Sequence, residues 1–184
     1  MKTTRAGDMI KITGINTPLG EMIAGALPDG ICLLEFSDRR MLNTGYKILS
    51  KSLNSPVYEG ENEHSELLRK ELYEYFEGTR KMFSVNLVLT GTEFQRSVWC
   101  ELQNIPFGET RSYSKQAEAI NRPGSVRAVA NANGMNKIAI VIPCHRVVGE
   151  DGSLTGYRGK LWRKRWLLDH ERKYSGKAVD QSLF

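Results

Sequence analysis

The apolar pattern of the chain changes about midway along its length. In the first half, residues 9–15 alternate β-branched side chains with other types, and two more short apolar segments follow at residues 21–26 and 31–36. Turn-forming sequences that contain Pro and Gly separate these segments at residues 17–20 and 28–30. We therefore expect three strands in a small antiparallel sheet.

One helix is predicted in the first half. Apolar side chains recur every four positions from Leu68 to Phe76, the spacing of one helix face. Ser65 is predicted to cap the N-terminus of this helix, and Gly78 is predicted to end it. The polar residues 50–64 before it are predicted to form a loop.

The second half is predicted to be mostly helical. Thr92 and Gln95 have the spacing of a capping box at the start of a first helix. Two short helices predicted at residues 112–120 and 125–133 are joined by a turn that contains Gly, which is the arrangement of a helix-turn-helix. A last helix is predicted over residues 161–170.

The fold class predicted from these patterns is α+β, with two domains. Residues 1–90 form a small α/β domain with an antiparallel sheet, and residues 91–174 form a mostly helical domain that contains the helix-turn-helix. Residues 83–89 are predicted to be an extended connector that ends at the hinge-like turn Thr90-Gly91. Residues 175–184 are predicted to be a flexible tail.

The formal net charge of +5 is unevenly distributed along the chain. Residues 92–184 contain 15 Lys and Arg against 9 Asp and Glu, a net charge of +6, so the rest of the chain carries −1. A basic excess concentrated in one part is the electrostatic footprint of a protein that binds polyanions. On charge alone, a solvated basic surface is an equally good explanation.

Composition also bears on localisation and metal binding. The sequence contains no run of eighteen apolar residues, so no membrane-spanning segment is predicted, and its first residues do not resemble a secretion signal. The three cysteines, Cys32, Cys100 and Cys144, are far apart and odd in number, which favours a reducing cytoplasm over a disulfide framework. Because no Cys-x-x-Cys pair occurs, we predict no zinc site built on cysteine.

Cys144 is the candidate nucleophile. It follows the unbroken apolar run 138–142, which is predicted to be a buried strand, and it precedes His145. Thiolate is the nucleophilic form of cysteine, and a neighbouring base can remove the thiol proton. Adjacent side chains on an extended chain point to opposite sides, so a bridging water or a turn at Pro143 is needed to couple the two.

An isolated Cys-His pair is more often structural, with a buried cysteine beside a packed histidine. Cys32, within an apolar strand, and Cys100, on a helix, are also best explained as structural residues. The same explanation holds for His64 and His170, which lie near the ends of predicted helices. The sequence around Cys144 is what distinguishes it from these residues.

The segment Ile142-Pro143-Cys144-His145-Arg146-Val147 resembles the active-site signature of the O6-alkylguanine-DNA alkyltransferases. The match is strong and ordered from about Gly91 to Glu171, and it is weaker from about Thr17 to Gly78. Several collinear motifs make coincidence a poor explanation. The other segments that resemble landmarks of the family are residues 91–95, 98–99, 105–110, 127–129, 131–136, 152–157 and 164–168.

The resemblance implies an RNase H-like N-terminal domain and a methylated-DNA–protein-cysteine methyltransferase activity that repairs DNA once per chain. The alkyl group of O6-alkylguanine moves irreversibly to Cys144, and O4-alkylthymine is left open as a second substrate. The resemblance makes His145 a base that acts through water, and Glu171 the group that orients it. It implies that Asn136 braces the turn that presents the cysteine, and that the Tyr113 hydroxyl protonates N3 of the leaving guanine.

The resemblance also implies how duplex DNA is bound. The damaged nucleotide is flipped out of the double helix, and Arg127 fills the gap. Ala128 belongs to a small-sided helix that suits close approach in the minor groove, with little sequence specificity. Tyr157 lines the base pocket, and backbone groups near Arg158 and Gly159 contact the base. No cofactor and no metal are implied, and we expect a cytoplasmic monomer.

Four positions depart from the family pattern. Lys137 and Ala139 stand where prolines are common, and Arg158 and Lys160 replace residues that are usually small. The pocket rim is therefore expected to be more basic or narrower than in typical relatives, which bears on the acceptance of bulky alkyl groups.

Three other functions fit part of the sequence. An alkyltransferase-like module that binds damage without repairing it would lack the acceptor cysteine, commonly replaced by Trp, but Cys144 is present. A helix-turn-helix regulator of the adaptive response would carry an N-terminal zinc domain with clustered cysteines, of which the sequence shows no sign. A Cys-His hydrolase would need an oxyanion-loop motif, and none is recognised around Cys144.

Overall fold

The structure is a computed structural model that describes residues 8–38 and 42–176. Within those residues the chain forms a four-stranded sheet, a pair of two-residue strands, six α-helices and two short 3₁₀ helices. The predicted tail, residues 175–184, lies outside the described residues apart from Ser175 and Gly176. In the described part of the chain, no helix is long and apolar enough to cross a membrane.

The N-terminal sheet is mixed. Strands β1 (Ile10–Ile15), β2 (Met22–Leu27) and β3 (Gly30–Phe36) are antiparallel neighbours, as the alternating pattern predicts. Strand β4 (Val57–Glu59) pairs in parallel with the other side of β1, which gives the order β3-β2-β1-β4. The prediction of a purely antiparallel sheet is therefore wrong for this fourth strand, which is too short to leave an alternating signal in the sequence.

Residues 50–64 do not form the predicted loop. Helix α1 (Leu42–Leu53) extends into this segment, β4 follows, and helix α2 (Glu63–Phe76) begins before the segment ends. Leu49 and Leu53 lie four residues apart and are buried in a small core against the sheet. Because polar residues dominate the rest of this segment, its composition conceals a narrow apolar helix face.

The N-cap of α2 is Asn62, three residues before the predicted Ser65. The Asn62 side chain accepts hydrogen bonds from the backbone N–H groups of His64 and Ser65, both at 3.1 Å. The Ser65 hydroxyl in turn accepts a bond of 2.9 Å from the Asn62 backbone N–H. Both residue types are strong helix caps, and here they occupy the two ends of one capping box, so composition alone does not tell which of them is the cap.

The C-terminal half is helical, as predicted. Thr92 and Gln95 form the predicted capping box. The last helix continues past the predicted end at His170. The helices are α3 (Glu93–Leu102), α4 (Tyr113–Ala119), α5 (Val126–Gly134) and α6 (Leu161–Tyr174), and the two short parallel strands are β5 (Arg111–Ser112) and β6 (Val147–Val148).

The apolar run 138–142 is mostly buried, as predicted, but it is not a strand. Only Ile138 pairs with β3, and the chain then turns, with Ile140 at a φ of 72°. The Asn136 side chain binds the backbone here: its Oδ1 accepts from the Ile138 N–H at 3.0 Å and its Nδ2 donates to the Ile142 carbonyl at 2.8 Å. These bonds replace a strand ladder, which explains why an apolar run bends back on itself.

The predicted connector between the two halves runs along the free edge of β3. The Ile31 N–H donates to the Asn86 carbonyl, and the Val88 N–H donates to the Ile31 carbonyl, both at 2.8 Å. A side chain at Gly30 would place its Cβ 2.4 Å from the Asn86 carbonyl oxygen. Glycine at this position therefore permits the close approach of the connector to the sheet.

A pair of buried amides joins α4 to α5. Gln116 and Asn133 exchange hydrogen bonds of 3.2 and 2.7 Å, and Gln116 also donates to the Val98 carbonyl of α3 at 3.3 Å. Both side chains are buried, so each amide depends on the other for its hydrogen bonds. The pair fixes the relative position of the three helices.

Replacing Gln116 with Met is expected to lower the free energy of unfolding by about 1–3 kcal/mol, because Met fills a similar volume but leaves the Asn133 amide without its partner. Urea unfolding followed by circular dichroism measures the change. Glu118→Gln, at an exposed position of the same helix, is the matched control and is expected to leave the free energy of unfolding nearly unchanged. Equal free energies of unfolding for the two variants would show that the Gln116–Asn133 pair does not hold the helices together.

Candidate active site

Cys144 borders a pocket of about 530 Å³. It is the first residue of a short 3₁₀ helix (Cys144–Arg146), and its Sγ atom lies 3.3 Å from Nδ2 of Asn136. The pocket lies between the two halves of the chain, since β3 and the glycine-rich loop both contribute to it. Its lining includes Glu35, Phe36 and Asp38 at the end of β3, Asn136 and Ala139 in the turn before the cysteine, and residues 156–160 of the loop.

Two backbone hydrogen bonds attach the turn before Cys144 to the sheet. The Leu34 N–H donates to the Lys137 carbonyl, and the Ala139 N–H donates to the Leu34 carbonyl, both at 2.8 Å. Nζ of Lys137 binds the Thr90 hydroxyl at 3.0 Å, toward the connector. Lys137 therefore does not belong to the pocket rim, whereas the other three departures from the family pattern do line the pocket.

The thiol of Cys144 keeps its proton at rest. Burial raises its pKa, and the smaller effects of the Asn136 hydrogen bond and the Lys164 charge oppose that rise. A base must therefore remove the proton before the sulfur can attack a substrate.

His145 is fully buried behind the cysteine. Its Nε2 lies 2.8 Å from Oε1 of Glu171, and because a carboxylate only accepts hydrogen bonds, Nε2 carries the proton and Nδ1 the lone pair. Burial lowers the pKa of His145, against the opposing effect of Glu171, so the imidazole is neutral near pH 7. In the described part of the chain, Nδ1 has no hydrogen-bond partner, and the thiol is not bonded to it directly.

Glu171 is a buried carboxylate that collects hydrogen bonds from four residues. The Tyr75 hydroxyl donates at 2.9 Å, the Gly108 N–H at 3.0 Å, and the Arg146 guanidinium through Nε at 2.8 Å and Nη2 at 3.0 Å. The fourth residue is His145. Burial raises the pKa of this carboxyl, but the contacts with His145 and Arg146 outweigh it and hold the pKa well below its usual range. The group is therefore ionised, as the predicted orienting role requires.

Lys164 and Tyr113 share one backbone acceptor beside the pocket. Nζ of the buried Lys164 donates to the carbonyls of Val147 at 2.5 Å and Thr155 at 2.7 Å, and the Tyr113 hydroxyl donates to the same Thr155 carbonyl at 3.2 Å. Burial lowers the pKa of Lys164 to about 8 and raises the pKa of Tyr113. A thiolate at Cys144 would raise both pKa values, so both groups lie close enough to interact with it.

The glycine-rich loop brings the predicted base-contacting residues to the pocket. Tyr157, Arg158 and Gly159 all line it. A Cβ at Gly159 would lie 2.6 Å from the Tyr157 ring and 3.0 Å from the Phe36 ring, so only glycine lets the loop pass between them. The Tyr157 hydroxyl is buried and has no hydrogen-bond partner among the described residues. Nη1 of Arg158 lies 3.8 Å from the sulfur of the exposed Met135.

Arg127 and Ala128 lie in the first turn of α5, and both are exposed. The opposite face of α5 is buried: Val129 and Ala132 belong to the core, and the Trp99 indole donates to the Ala132 carbonyl at 2.8 Å. Arg127 and Ala128, predicted to contact the duplex, are therefore on the surface, while the residues predicted to contact the flipped base line the pocket beside the cysteine.

Tyr75, Arg146 and Lys164 belong to this site but were not predicted from the sequence. Arg146 and Lys164 lie inside segments that match the family. A charged residue within such a segment indicates a functional role, so both could have been predicted as site residues. Tyr75 begins the Tyr-Phe-x-Gly helix end at residues 75–78, which is typical of the family in the weaker part of the match. Its role was not predicted, because its partner Glu171 is 96 residues away.

The residues explained as structural remain outside the site. Cys32 is buried in β3, where burial raises the pKa of its thiol to about 12, and Cys100 is exposed on α3. His64 and His170 each bind a backbone carbonyl, at 3.0 and 2.8 Å. Within residues 8–38 and 42–176, no group of three or more His, Cys, Asp or Glu side chains could hold a metal ion.

Known proteins with similar sequences are named as DNA methyltransferases of the predicted kind. The family model "6-O-methylguanine DNA methyltransferase, DNA binding domain" matches residues 93–173. A methylated-DNA–protein-cysteine methyltransferase of Mycolicibacterium paratuberculosis is 57% identical over 106 residues, which are 58% of this chain and 64% of the relative. That match thus spans less than two-thirds of the length of the relative. The constitutive enzyme of Bacillus subtilis is 40% identical over 166 residues, covering 87% of this chain and 94% of the relative.

Solved structures are similar over most of the chain. Mycobacterium tuberculosis O6-methylguanine methyltransferase is 36% identical, with a TM-score of 0.78 over 96% of this chain and 99% of that one. A structure of Mycobacterium tuberculosis OGT in complex with DNA is 37% identical, with a TM-score of 0.75 over 88% and 92% of the two chains. The match extends over nearly the full length of the Bacillus subtilis enzyme and of both solved structures. The chain therefore belongs to the methylated-DNA–protein-cysteine methyltransferase family.

Proposed function

We propose that this chain repairs duplex DNA by moving an alkyl group from O6 of guanine to Sγ of Cys144, once per chain. The observation that carries the proposal is a pocket-lining thiol with the neutral imidazole of His145 buried behind it, its lone pair at Nδ1. Membership of the family supports the same chemistry. O4-alkylthymine remains a second candidate substrate.

The proposed reaction begins with a proton transfer. The thiol proton moves through a bridging water to Nδ1 of His145, and the Glu171 carboxylate stabilises the imidazolium that forms. The sulfur of Cys144 then bonds to the alkyl carbon while the bond from that carbon to O6 breaks, and the electron pair remains on the guanine.

Protonation of the departing guanine at N3 neutralises the charge it acquires. Tyr113 is the proposed donor, because its hydroxyl binds the Thr155 carbonyl beside the loop that lines the pocket. The ammonium group of Lys164 lies 5.9 Å from the Tyr113 ring and counters the charge left on the phenolate. In this proposal Tyr157 and the backbone near Arg158 hold the base.

We infer that α4 and α5 act as a helix-turn-helix that docks in the minor groove. The small exposed side chain of Ala128 permits close approach of α5 to the groove floor. Arg127 extends from the same turn and is long enough to enter the base stack when the damaged nucleotide leaves it. The basic excess of residues 92–184 favours contacts with phosphates, which carry little sequence specificity.

The proposed organisation keeps an RNase H-like domain at residues 1–90 and an alkyltransferase domain at residues 91–174. The family model supports this boundary because its match begins at residue 93, close to Thr90-Gly91. Action as a monomer and a cytoplasmic location remain predictions from the sequence.

Incubation with duplex DNA that contains O6-methylguanine is expected to add one methyl group per chain, on the peptide that contains Cys144. Intact-protein and peptide mass spectrometry measure the stoichiometry and the position. Cys100→Ser, which removes an exposed cysteine, is the control and is expected to react like the unchanged chain. Demethylation of the DNA by Cys144→Ala would contradict the mechanism. Tight binding without transfer by the unchanged chain would instead favour a damage-binding module.

The rate of alkyl transfer is expected to stay constant as the pH falls through 6.5 and to decline only below it. A base acts in its neutral form, and burial lowers the pKa of His145 below the usual 6.5, so the imidazole stays neutral through that range. Single-turnover kinetics between about pH 5 and 8 measure the profile. A rate that halves near pH 6.5 or above would argue against this assignment.

Glu171→Gln is expected to slow transfer by about 10²-fold or more, because a Gln amide can donate to Nε2 and force the imidazole proton onto Nδ1. Asp169→Asn, at an exposed position of the same helix, is the matched control, and circular dichroism checks that both variants fold. A Gln variant that is folded and as fast as the control would remove the orienting role of Glu171.

Arg127→Ala is expected to slow transfer from duplex DNA by about tenfold or more, since it removes the side chain that offsets a flipping cost of a few kcal/mol. Transfer from the free base O6-methylguanine needs no flipping and is expected to change little. Arg172→Ala, an exposed arginine on α6, controls for the loss of one positive charge. Equal losses with duplex and free base would exclude the flipping role.

A further inference from the structure

A cluster of opposite charges lies where the glycine-rich loop meets the N-terminal sheet. Oδ2 of Asp38 is 2.6 Å from Nζ of Lys160, and the two carboxylate oxygens are 2.9 and 3.2 Å from Nη1 and Nη2 of Arg163. Asp38 follows β3, Lys160 ends the loop, and Arg163 lies on α6. One carboxylate therefore joins three elements, and two members of the cluster line the pocket.

Arg163 is the fixed member of the cluster. Its side chain is buried, and its Nε donates to the Leu19 carbonyl at 2.9 Å. The guanidinium lies 3.9 Å from the centre of the Phe36 ring and 4.8 Å from that of Trp162. Planar guanidinium groups stack well on aromatic rings. Arg163 thus presents two N–H groups to Asp38 from a position that the surrounding core determines.

Lys160 is the exposed member, with 55% of its side chain accessible to solvent. Its backbone has a φ of 74°, a left-handed conformation that few residues other than glycine adopt. The preceding Gly159 packs too closely against the rings of Tyr157 and Phe36 to accept a side chain. The backbone here is held by the Lys160 N–H, which donates to the Tyr157 carbonyl at 3.2 Å, and by Nη1 of Arg163, which donates to the Gly159 carbonyl at 3.4 Å. The ion pair with Asp38 adds a side-chain link from the loop to the end of β3.

The charge of Asp38 is maintained at neutral pH. The hydrogen bonds from Arg163 and Lys160 lower the pKa of its carboxyl to about 2. Solvent screens the exposed pair with Lys160, but the two bonds from the buried Arg163 keep the carboxylate in place between them.

We propose that Asp38, through Lys160 and Arg163, is a specificity-determining residue that limits the size of the alkyl group accepted at Cys144. It latches residues 156–160 against the end of β3, and these residues form one wall of the pocket. A benzyl group needs more room than a methyl group between O6 and the sulfur, so the position of that wall bears on which of the two is accepted. The inference rests on the proposed transfer to Cys144.

Asp38→Asn tests the latch, because the amide keeps the shape of the carboxylate and removes its charge. The measured quantity is the rate constant for O6-benzylguanine divided by that for O6-methylguanine, each placed in the same duplex oligonucleotide. This ratio is expected to rise about tenfold, within the range that a steric difference in a pocket produces. Asp38→Glu retains the charge and is expected to keep the ratio closer to that of the unchanged chain.

Two further variants make the test independent of one substitution. Lys160→Gln removes the charge that pairs with Asp38 and changes only an exposed side chain of the loop. It is expected to raise the ratio as well. Glu61→Gln is the matched control: Glu61 pairs with Arg69 and is 40% exposed, against 41% for Asp38, but it does not line the pocket. Both rate constants of this control are expected to equal those of the unchanged chain.

An unchanged ratio in both Asp38→Asn and Lys160→Gln would overturn the latch. So would an equal fall of the two rate constants, because it would mark Asp38 as a structural residue alone. Methyl transfer by the unchanged chain separates these failures from a failure of the proposed function. If the unchanged chain transfers neither group to Cys144, both proposals are wrong.

Discussion

The ionised carboxylate of Glu171 is the group on which the rest of the site depends. It is buried on α6 and accepts hydrogen bonds from Tyr75 on α2, from the Gly108 backbone, and from His145 and Arg146 of the 3₁₀ helix. Removing one partner of a buried ion pair costs about 3–5 kcal/mol, because the other charge is left uncompensated. The group that fixes the imidazole tautomer therefore also holds both halves of the chain together.

The sheet contributes to the site through the free edge of β3. That edge binds the connector near Ile31 and the turn before Cys144 at Leu34, and the strand ends at Phe36 in the pocket wall. Since neighbouring bonds on one strand have a fixed spacing, the connector, the reactive turn and the pocket wall are held in register. The predicted catalytic residues all lie in the other half. The N-terminal half is nevertheless part of the site, because it supplies the pocket wall and Tyr75, a partner of Glu171.

Local rules account for what the sequence predicts well, and long-range contacts account for what it does not. The capping box that begins at Thr92 is a local signal and is confirmed. The apolar run 138–142 was correctly expected to be mostly buried, but the side chain of Asn136 bends it, and a hydropathy pattern does not contain that information. The family motif identifies Cys144 and its neighbours, whereas Tyr75 reaches Glu171 only through the packing of two helices far apart in sequence.

A protonated thiol suits the proposed reaction, in which each chain would react once. Oxidants attack the thiolate form of cysteine. In the described part of the chain, Cys144 is the only cysteine that lines the pocket, so its oxidation would remove the proposed acceptor. Burial raises the pKa of Cys144 and lowers that of His145, so in the resting site the proton stays on sulfur and the base stays neutral. In the proposed reaction, only an alkyl group placed against the sulfur gives the proton transfer a productive outcome. The resting arrangement would therefore protect the nucleophile until a damaged base enters the pocket.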